Sequence, residues 1–409
     1  MTEPRPTRAA FAFVFVTVAL DMLALGIIVP VLPKLVVRFE GGDIASAATV
    51  VGVFGTAWAG MQFLGSPLLG ALSDRFGRRP VILLSNLGLG LDYVLMAVAP
   101  SLAWLFVGRV ISGLTSASYA TASAYIADVT PPEQRAGQFG KLGAAFGLGF
   151  VVGPAVGGLL GGISLRFPFW GAAALSLANA AYGFFILPES LPRDRRAPFT
   201  WARAHAVGSL RLLRSHPMLM GLAGAAFLSF LAHVSLPSMF VLYTDYRYGW
   251  SEAMVGLCLS AIGISSAVVA AAVVGPTVRR LGERRAVLAG LGFGLLGFVA
   301  YGLAPTGAAF LVGVPFMGLW GLSGPATQAL LSRRVAPTEQ GRLQGAVGSL
   351  RGITGMIGPL LFTQTFALAI SPRRGVHVPG APYMLAALLL TGAVYLAWHV
   401  TRPAASNPS

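Results

Sequence analysis

Apolar runs of about 18 to 24 residues recur along the whole of this 409-residue chain, each long enough to cross a hydrocarbon core about 30 Å thick. Inside lipid a segment of that kind must satisfy its own backbone hydrogen bonds, which makes helix its stable form. Composition agrees: 55% of the residues are hydrophobic and 11% charged, where a soluble domain carries roughly 25% charged residues. The runs fall at 11–33, 47–69, 80–99, 102–124, 139–162 and 168–187, then at 217–240, 253–275, 286–303, 308–331, 344–368 and 382–400. They predict an all-α membrane protein with twelve transmembrane helices, and the lipid bilayer is its first partner.

The net charge of +15 would suggest nucleic acid in a soluble protein, but its distribution excludes that partner. With the N-terminus cytoplasmic, 21 of the 29 Lys and Arg residues fall in tails and cytoplasmic loops, 6 in outside loops and 2 in spans. That is the positive-inside pattern, and it places both termini in the cytoplasm. Met1 to Arg8 runs straight into a full-length span, so it reads as a tail and first helix without a cleaved signal peptide. Cys258 is the single cysteine, so no disulfide framework or thiolate cluster is available, and no metal or cofactor is expected. His205, His216 and His377 are loop residues too scattered for a metal site.

The chain repeats itself. Gly70-Ala-Leu-Ser-Asp74-Arg75-Phe-Gly77-Arg78-Arg79-Pro80 returns in degraded form as Gly275-Pro-Thr-Val-Arg279-Arg280-Leu-Gly282-Glu283-Arg284-Arg285. Val129-Thr-Pro-Pro-Glu133-Gln134 returns as Val335-Ala-Pro-Thr-Glu339-Gln340, and Gly153-Pro154 as Gly358-Pro359. A constant offset of about 205 residues marks an internal duplication. It predicts two pseudo-symmetric six-helix bundles, residues 1–187 and 217–409, joined by a cytoplasmic linker at 188–216 that is rich in Arg and Pro and suited to lie on anionic lipid. Halves of this kind suit a transporter.

Three groups of residues carry chemistry. The 70–80 turn combines a carboxylate, two glycines and three arginines: Asp74 can pair with Arg78 and with a helix dipole, while Gly70 and Gly77 permit close approach and a sharp reversal. Arginines alone would serve topology, yet an aspartate and two glycines add nothing to topology, so the cluster reads as a charged latch. Asp21, Asp92, Arg109 and Arg351 lie within spans, where an ionisable group costs at least about 2.5–3.5 kcal/mol. Each carboxyl can neutralise itself by taking a proton, because desolvation disfavours the charged form; Arg109 cannot, so it must be paired or solvated. A proton-sensitive network of Asp21, Asp92 and Arg109 satisfies all three, with a static buried pair as the competing reading. In the fifth span Gly149, Gly153, Pro154, Gly157 and Gly158 carve a groove for a neighbouring helix and bend their own.

Together these motifs resemble the drug:proton antiporter branch of the major facilitator superfamily. Pro30-Val-Leu-Pro33, Ser73 to Val81, Leu91-Asp92-Tyr93, Tyr125-Ile-Ala-Asp128, Gly153 to Gly158 and Arg247-Tyr-Gly-Trp250 are similar to the tetracycline efflux proteins. The resemblance implies a cytoplasmic gate of Gly70, Asp74, Arg75, Gly77, Arg78 and Arg79 with Asp128 as a further carboxylate. It implies proton transfer at Arg109, with Asp21 and Asp92 in coupling or substrate binding, and the antiporter motif in span five. Monomeric function and the bacterial inner membrane follow from the same resemblance. The sequence departs from the pattern where those proteins place an acid in span nine and a His in span eight: here stand Gly294 and Ser266.

Candidate lining residues for a hydrophobic small molecule are Asp21, Gln62, Phe146, Phe230, His233, Gln328 and Gln344, with Asn179, Trp320 and Met356 as further polar or apolar groups. The expected function is proton-coupled efflux of tetracycline-like or other drugs by rocker-switch alternating access. Two alternatives share the fold: a metabolite transporter for a sugar, amino acid or siderophore, and a non-transporting membrane sensor. No nucleophile–base pair or phosphate loop lies within the spans, so an enzyme is not expected.

Overall fold

A computed structural model describes residues 8–116, 118–198, 208–215, 217–336, 339–371 and 377–402. The first seven residues of the expected N-terminal tail, and Arg203, His205 and His216 of the linker, lie outside the described residues. The described chain is helical throughout: α1 Arg8–Ile28, α2 Leu32–Phe39, α3 Ile44–Phe76, α4 Arg78–Val98, α5 Leu102–Thr115, α6 Ser118–Val129, α7 Pro132–Ile163 and α8 Phe167–Ile186. After the linker come α9 Pro217–Tyr248, α10 Glu252–Val268, α11 Val274–Leu303, α12 Gly307–Leu311, α13 Gly313–Trp320, α14 Ser323–Ser332, α15 Gln340–Ile370 and α16 Ala381–Val400.

Among the described residues, ten stretches are long and apolar enough to cross a membrane. One of them, Glu252–Leu303, is 52 residues long and contains Gly282 at φ 77°, which breaks it into the two spans expected at 253–275 and 286–303. Leu102–Thr115, too short alone, continues as Ser118–Val129 to complete the fourth span. The described helices are consistent with the twelve predicted spans. Several helices outrun their apolar cores: α3 reaches Phe76 where the apolar run ends at 69, because backbone hydrogen bonding continues into water when hydropathy has ended.

The chain divides into two compact units, residues 1–206 with 249–260, and residues 207–248 with 261–409. In the first, α1 packs on α7 and α8, α4 on α5 and α8, and α3 on α5. In the second, α9 packs on α15 and α16, and α11 on α13, α14 and α16. The pairing of the first span with the fifth and of the third with the sixth thus recurs as the seventh with the eleventh and the ninth with the twelfth. Repeat symmetry reaches the backbone: the echoed glycines Gly77 and Gly282 both adopt positive φ, at 108° and 77°. The echoed prolines, Pro154 and Pro359, both lie inside their helices.

The first unit is cored by Tyr93, Met96, Phe169 and Leu105. The second holds a buried aromatic cluster of Tyr243, Tyr301, Phe310 and Tyr383, with Tyr301 stacked on Phe310 at 3.9 Å and the Tyr243 hydroxyl donating to the Tyr301 carbonyl at 3.0 Å.

Candidate functional site

Polar side chains inside the first unit gather in three places. At the α3–α4 turn, Arg78 pairs with Asp74 at 2.5 Å and with Asp128 at 3.0 Å, and donates to Ser73 Oγ at 2.6 Å. One guanidinium thereby ties the end of α3 to the end of α6, as the planar fork of arginine allows. Gly77, the only residue between α3 and α4, makes the reversal at φ 108°. That positive φ is the reason a glycine is needed, and a Cβ there would in addition meet the Glu189 carboxylate.

Glu189 is a participant that the sequence motifs do not reveal. Its Oε1 accepts from the Arg78 backbone N–H at 2.8 Å and from that of Leu191 at 3.0 Å, and its Oε2 lies 3.8 Å from Arg196. It thus caps the exposed N–H at the start of α4 from just beyond the end of α8. Ser190 Oγ donates to Asp128 at 3.2 Å, and the Ala197 N–H donates to the Asp74 carbonyl at 3.1 Å. Residues 189–197 are therefore bound to the α3–α4 turn and to Asp128. Arg79 donates to the Phe184 carbonyl at 2.6 Å, and exposed Arg75 lies over the Phe76 ring. Gly70 has open space around it, so within the described residues no close approach calls for glycine there.

The second cluster is buried. Asp21 on α1 is 4% exposed, Asp92 on α4 1% and Arg109 on α5 7%. They form two pairs. Asn179 Nδ2 on α8 donates to Asp21 Oδ1 at 3.1 Å and to the Thr17 carbonyl at 3.2 Å. Asp92 lies 4.0 Å from Arg109, which also donates to Ser112 Oγ at 3.3 Å. Neither Asp92 oxygen makes a hydrogen bond of ordinary geometry among the described residues, so Coulomb attraction is what holds the pair. At 4% exposure Asp21 presents little surface to any ligand in this conformation.

The third feature is the glycine face of α7. A Cβ on Gly149 would stand 2.6 Å from Leu23 N, and one on Gly153 2.7 Å from Gly26 Cα; Gly157 is pressed against the Ile27 carbonyl. These three glycines seat α1 one turn beyond Asp21. Pro154 turns its ring toward Gly26 of α1 as well, while its carbonyl meets Gly256; Gly158 faces the other way, against the Glu252 backbone. Ser260 Oγ donates to the Val151 carbonyl at 2.5 Å. In the same unit, Lys34 donates to the Trp250 carbonyl at 2.6 Å and pairs with Glu252 at 3.4 Å, a clasp that no sequence motif announces.

The candidate lining residues divide between the units. In the first, Gln62 is half-buried and Phe146 is exposed, stacked on Phe150 at 5.7 Å. In the second, Phe230 lies under the Arg351 guanidinium at 4.6 Å, and His233 is 5.4 Å from the ring of Trp320. Gln328 is half-buried with no partner for its Nε2 among the described residues, and Gln344 is exposed. Gly294, at the position where the resemblance points to an acid, is filled by its neighbour: a Cβ there would stand 2.7 Å from Trp320 Cγ. Ser266 is exposed on α10, in place of the expected His. Among the described residues no group of three or more His, Cys, Asp and Glu side chains is placed to hold a metal.

Comparison with known proteins bears on this arrangement. The sequence model of the Major Facilitator Superfamily matches residues 14–359. The tetracycline resistance protein of class C from Escherichia coli is 40% identical over 373 residues, covering 91% of this chain and 93% of that protein. The class G protein of Vibrio anguillarum is 36% identical, covering 91% and 95%. Among solved structures, the human organic anion transporter MFSD10 (TETRAN) superposes with a TM-score of 0.70 at 25% identity, covering 97% of this chain and all of that one. A multi-pass helical membrane protein with these matches has its place: the chain belongs to the Major Facilitator Superfamily and, within it, to the family of the tetracycline resistance proteins.

Proposed function

We propose that the chain is a proton-coupled efflux antiporter for tetracycline-like or other hydrophobic drugs, working by rocker-switch alternating access. The observation that carries this reading is the buried charge cluster of the first unit. Two carboxyls, Asp21 and Asp92, have almost no solvent contact, Asp92 lies 4.0 Å from Arg109, and the oxygens of Asp92 have no well-formed hydrogen bond among the described residues. A buried carboxyl of that kind gains from taking a proton and loses from releasing it, which is what coupling to a proton gradient requires. The tetracycline resistance relatives supply the substrate class.

In this reading residues 1–187 and 217–409 are the two rocking halves, with 188–216 as their linker. The protein works as a monomer in a bacterial inner membrane with both termini cytoplasmic. Arg78, Asp74 and Asp128, supported by Glu189, form the cytoplasmic gate, and Gly149, Gly153 and Gly157 give α1 and its Asp21 a close bearing on α7. The test is drug uptake into inverted membrane vesicles under an imposed proton gradient, with Asp21→Asn beside wild type. Gradient-driven tetracycline accumulation that Asp21→Asn abolishes is expected. Absence of accumulation of tetracycline and of an unrelated lipophilic drug in wild-type vesicles would overturn the reading in favour of a metabolite transporter.

A further inference from the structure

We infer that Lys34 and Glu252 are the two halves of a lock at the outer end of the first unit, and that its release is a step of every transport cycle. The inference rests on the reading of the chain as a rocker-switch exporter and names the residues that hold its outer face shut.

The first unit takes in residues 249–260, a segment from the second half of the sequence. With both termini cytoplasmic, that segment and Lys34 each follow an odd-numbered span and so lie at the outer surface. Lys34 is the third residue of α2, whose Leu35 and Val36 are buried among Val31, Ala47 and Phe54. That packing gives the lysine a fixed base. Its Nζ donates to the Trp250 carbonyl at 2.6 Å and pairs with Glu252 at 3.4 Å. The two side chains are 11% and 21% exposed, so both charges are largely withdrawn from water and depend on each other. Glu252 stands in the first turn of α10, where the helix dipole favours a carboxylate. The hydrogen-bond ladder of α10 begins at the Ser251 carbonyl, which leaves the Trp250 carbonyl just ahead of it as an acceptor for the lysine.

Behind this clasp the seam is of a different kind. Gly158 lies against the Glu252 carbonyl, a Cβ on Gly161 would stand 3.3 Å from Glu252 Cβ, and Gly256 lies against the Pro154 carbonyl. Further along α10, Ser260 Oγ donates to the Val151 carbonyl at 2.5 Å. At these glycines the helices meet backbone to backbone, so the surfaces can part and reseat without repacking large side chains. Two points allow the segment to move. Gly249, between α9 and α10, takes φ 63°, and a Cβ built on it meets nothing within 4 Å. Beyond the segment, α10 runs into a π-helical turn at Val269–Val273, a local irregularity at which a helix bends.

The chemistry of the clasp suits a reversible fastening. A lysine ammonium is a compact, strongly hydrated point charge, so water can replace both of its partners when the segment withdraws. An ion pair of this kind holds while water is excluded and gives way once water enters. A permanent staple would be served better by apolar contacts, which lose as much on opening as they gain on closing.

The chain supplies its own reporter. Cys258 is the single cysteine of the sequence, is buried, and lies on α10 within the clasped segment. Alkylation of Cys258 by N-ethylmaleimide is followed by mass spectrometry on the full-length protein in lipid nanodiscs, for wild type, Lys34→Met, Glu252→Gln and Lys34→Glu/Glu252→Lys. Both single variants are expected to label about tenfold faster than wild type, as loss of a charge-assisted hydrogen bond allows. The exchanged pair should label at an intermediate rate, because it restores the ion pair but not the bond to the Trp250 carbonyl. Single variants that label within about twofold of wild type overturn the proposal.

Faster labelling would also follow from a general loosening of the fold, so a second protein tests the role itself. Lys34→Cys/Glu252→Cys in a Cys258→Ala background is joined by a short bifunctional methanethiosulfonate, reconstituted, and assayed for tetracycline binding and transport. Cross-linking is expected to leave binding in place and to slow transport by about tenfold or more, because the outer face can no longer open; dithiothreitol should restore it. Transport that cross-linking leaves unchanged overturns the proposal. Absence of tetracycline transport in wild type would sink the exporter reading for that drug, while the labelling rates, which need no substrate, still judge the lock.

Discussion

Replacing Asp92 by Asn should be more damaging than replacing its partner Arg109 by Leu, and the structure says by how much. The two charges are 4.0 Å apart, with the side chains 0% and 9% exposed. At an effective dielectric of 20 that separation corresponds to an attraction of about 4 kcal/mol. Asp92→Asn removes it and leaves Arg109 charged in an apolar bundle with the Ser112 hydroxyl as its hydrogen-bond partner, a loss of about 3–5 kcal/mol for a buried pair broken on one side. Arg109→Leu leaves a carboxyl, which can neutralise itself by taking a proton. What remains is a buried polar group poorly supplied with partners, costing about 1–3 kcal/mol. Since about 1 kcal/mol shifts the melting temperature of a body of this size by roughly 2–4 °C, Asp92→Asn should melt about 6–20 °C below wild type and Arg109→Leu a few degrees below. The Asp92→Asn/Arg109→Leu protein should recover most of the loss, because neither charge is then left alone. Thermal unfolding in detergent followed by intrinsic fluorescence measures all four proteins, and vesicle uptake run alongside should find gradient-driven accumulation lost in each variant. If Asp92→Asn melts within about 3 °C of wild type, half the smallest shift expected for a broken buried pair, or above Arg109→Leu, the assignment of a Coulomb-held pair is wrong.

Two further substitutions probe features of the first unit that differ in kind. Gly153→Ala adds a methyl 2.7 Å from the Gly26 backbone, where no flexible side chain can give way, so α1 must shift at a cost of about 1–3 kcal/mol. Gly143→Ala on the same helix meets nothing within 4 Å and should be neutral or slightly stabilising in the same melt, which makes it the control. Glu189→Ala removes the acceptor of the Arg78 N–H and the partner of Arg196, and should lower stability by about 1 kcal/mol as loss of a helix cap does. Glu189→Gln, which keeps an acceptor, should lose less, and limited proteolysis of the linker should read the difference; equal cleavage of all three proteins would contradict the docking of residues 188–197 on the latch.

Much of this architecture is legible in the sequence, because hydrophobic length and charge asymmetry act locally along the chain. The spans can be drawn from apolar runs, and the pair Asp74–Arg78 from a four-residue spacing that any helix brings onto one face. The echo at about 205 residues singles out Gly77 and Gly282, both of which take the positive φ that a sharp reversal needs. What stays hidden depends on packing between distant segments. Asn179 meets Asp21 across 158 residues, and Glu189 meets Arg78 across 111; no periodicity connects such positions. The residues alone suggest Asp21, Asp92 and Arg109 as a network; the structure adds Asn179 on α8 as a partner of Asp21 and Ser112 as a partner of Arg109, neither of which any motif singles out. The Lys34 clasp on Trp250 and Glu252 joins two segments 216 residues apart at helix ends, where polar residues carry no pattern at all. Gly294 reads in the sequence only as a missing acid; in the structure its place is taken by the Trp320 ring.

Duplication followed by divergence explains why the two units hold such different chemistry on one helical plan. In the first, the turn glycine Gly77 is crowded by Glu189 and Arg196, and the arginine after it is bound by two carboxylates and a hydroxyl. In the second, the corresponding Gly282 meets nothing within 4 Å, and the acid beside it, Glu283, pairs with the exposed Arg333 at 2.9 Å. A copy free of such contacts can drift, and this one has. The intramembrane charges have separated in the same sense: the first unit holds two buried acids with an arginine, the second an exposed arginine stacked on an aromatic ring. A site that takes up and releases a proton must be shielded from water, and the buried acids of the first unit meet that demand, which predicts that substitutions at Asp92 change the response to a proton gradient across all exported compounds alike.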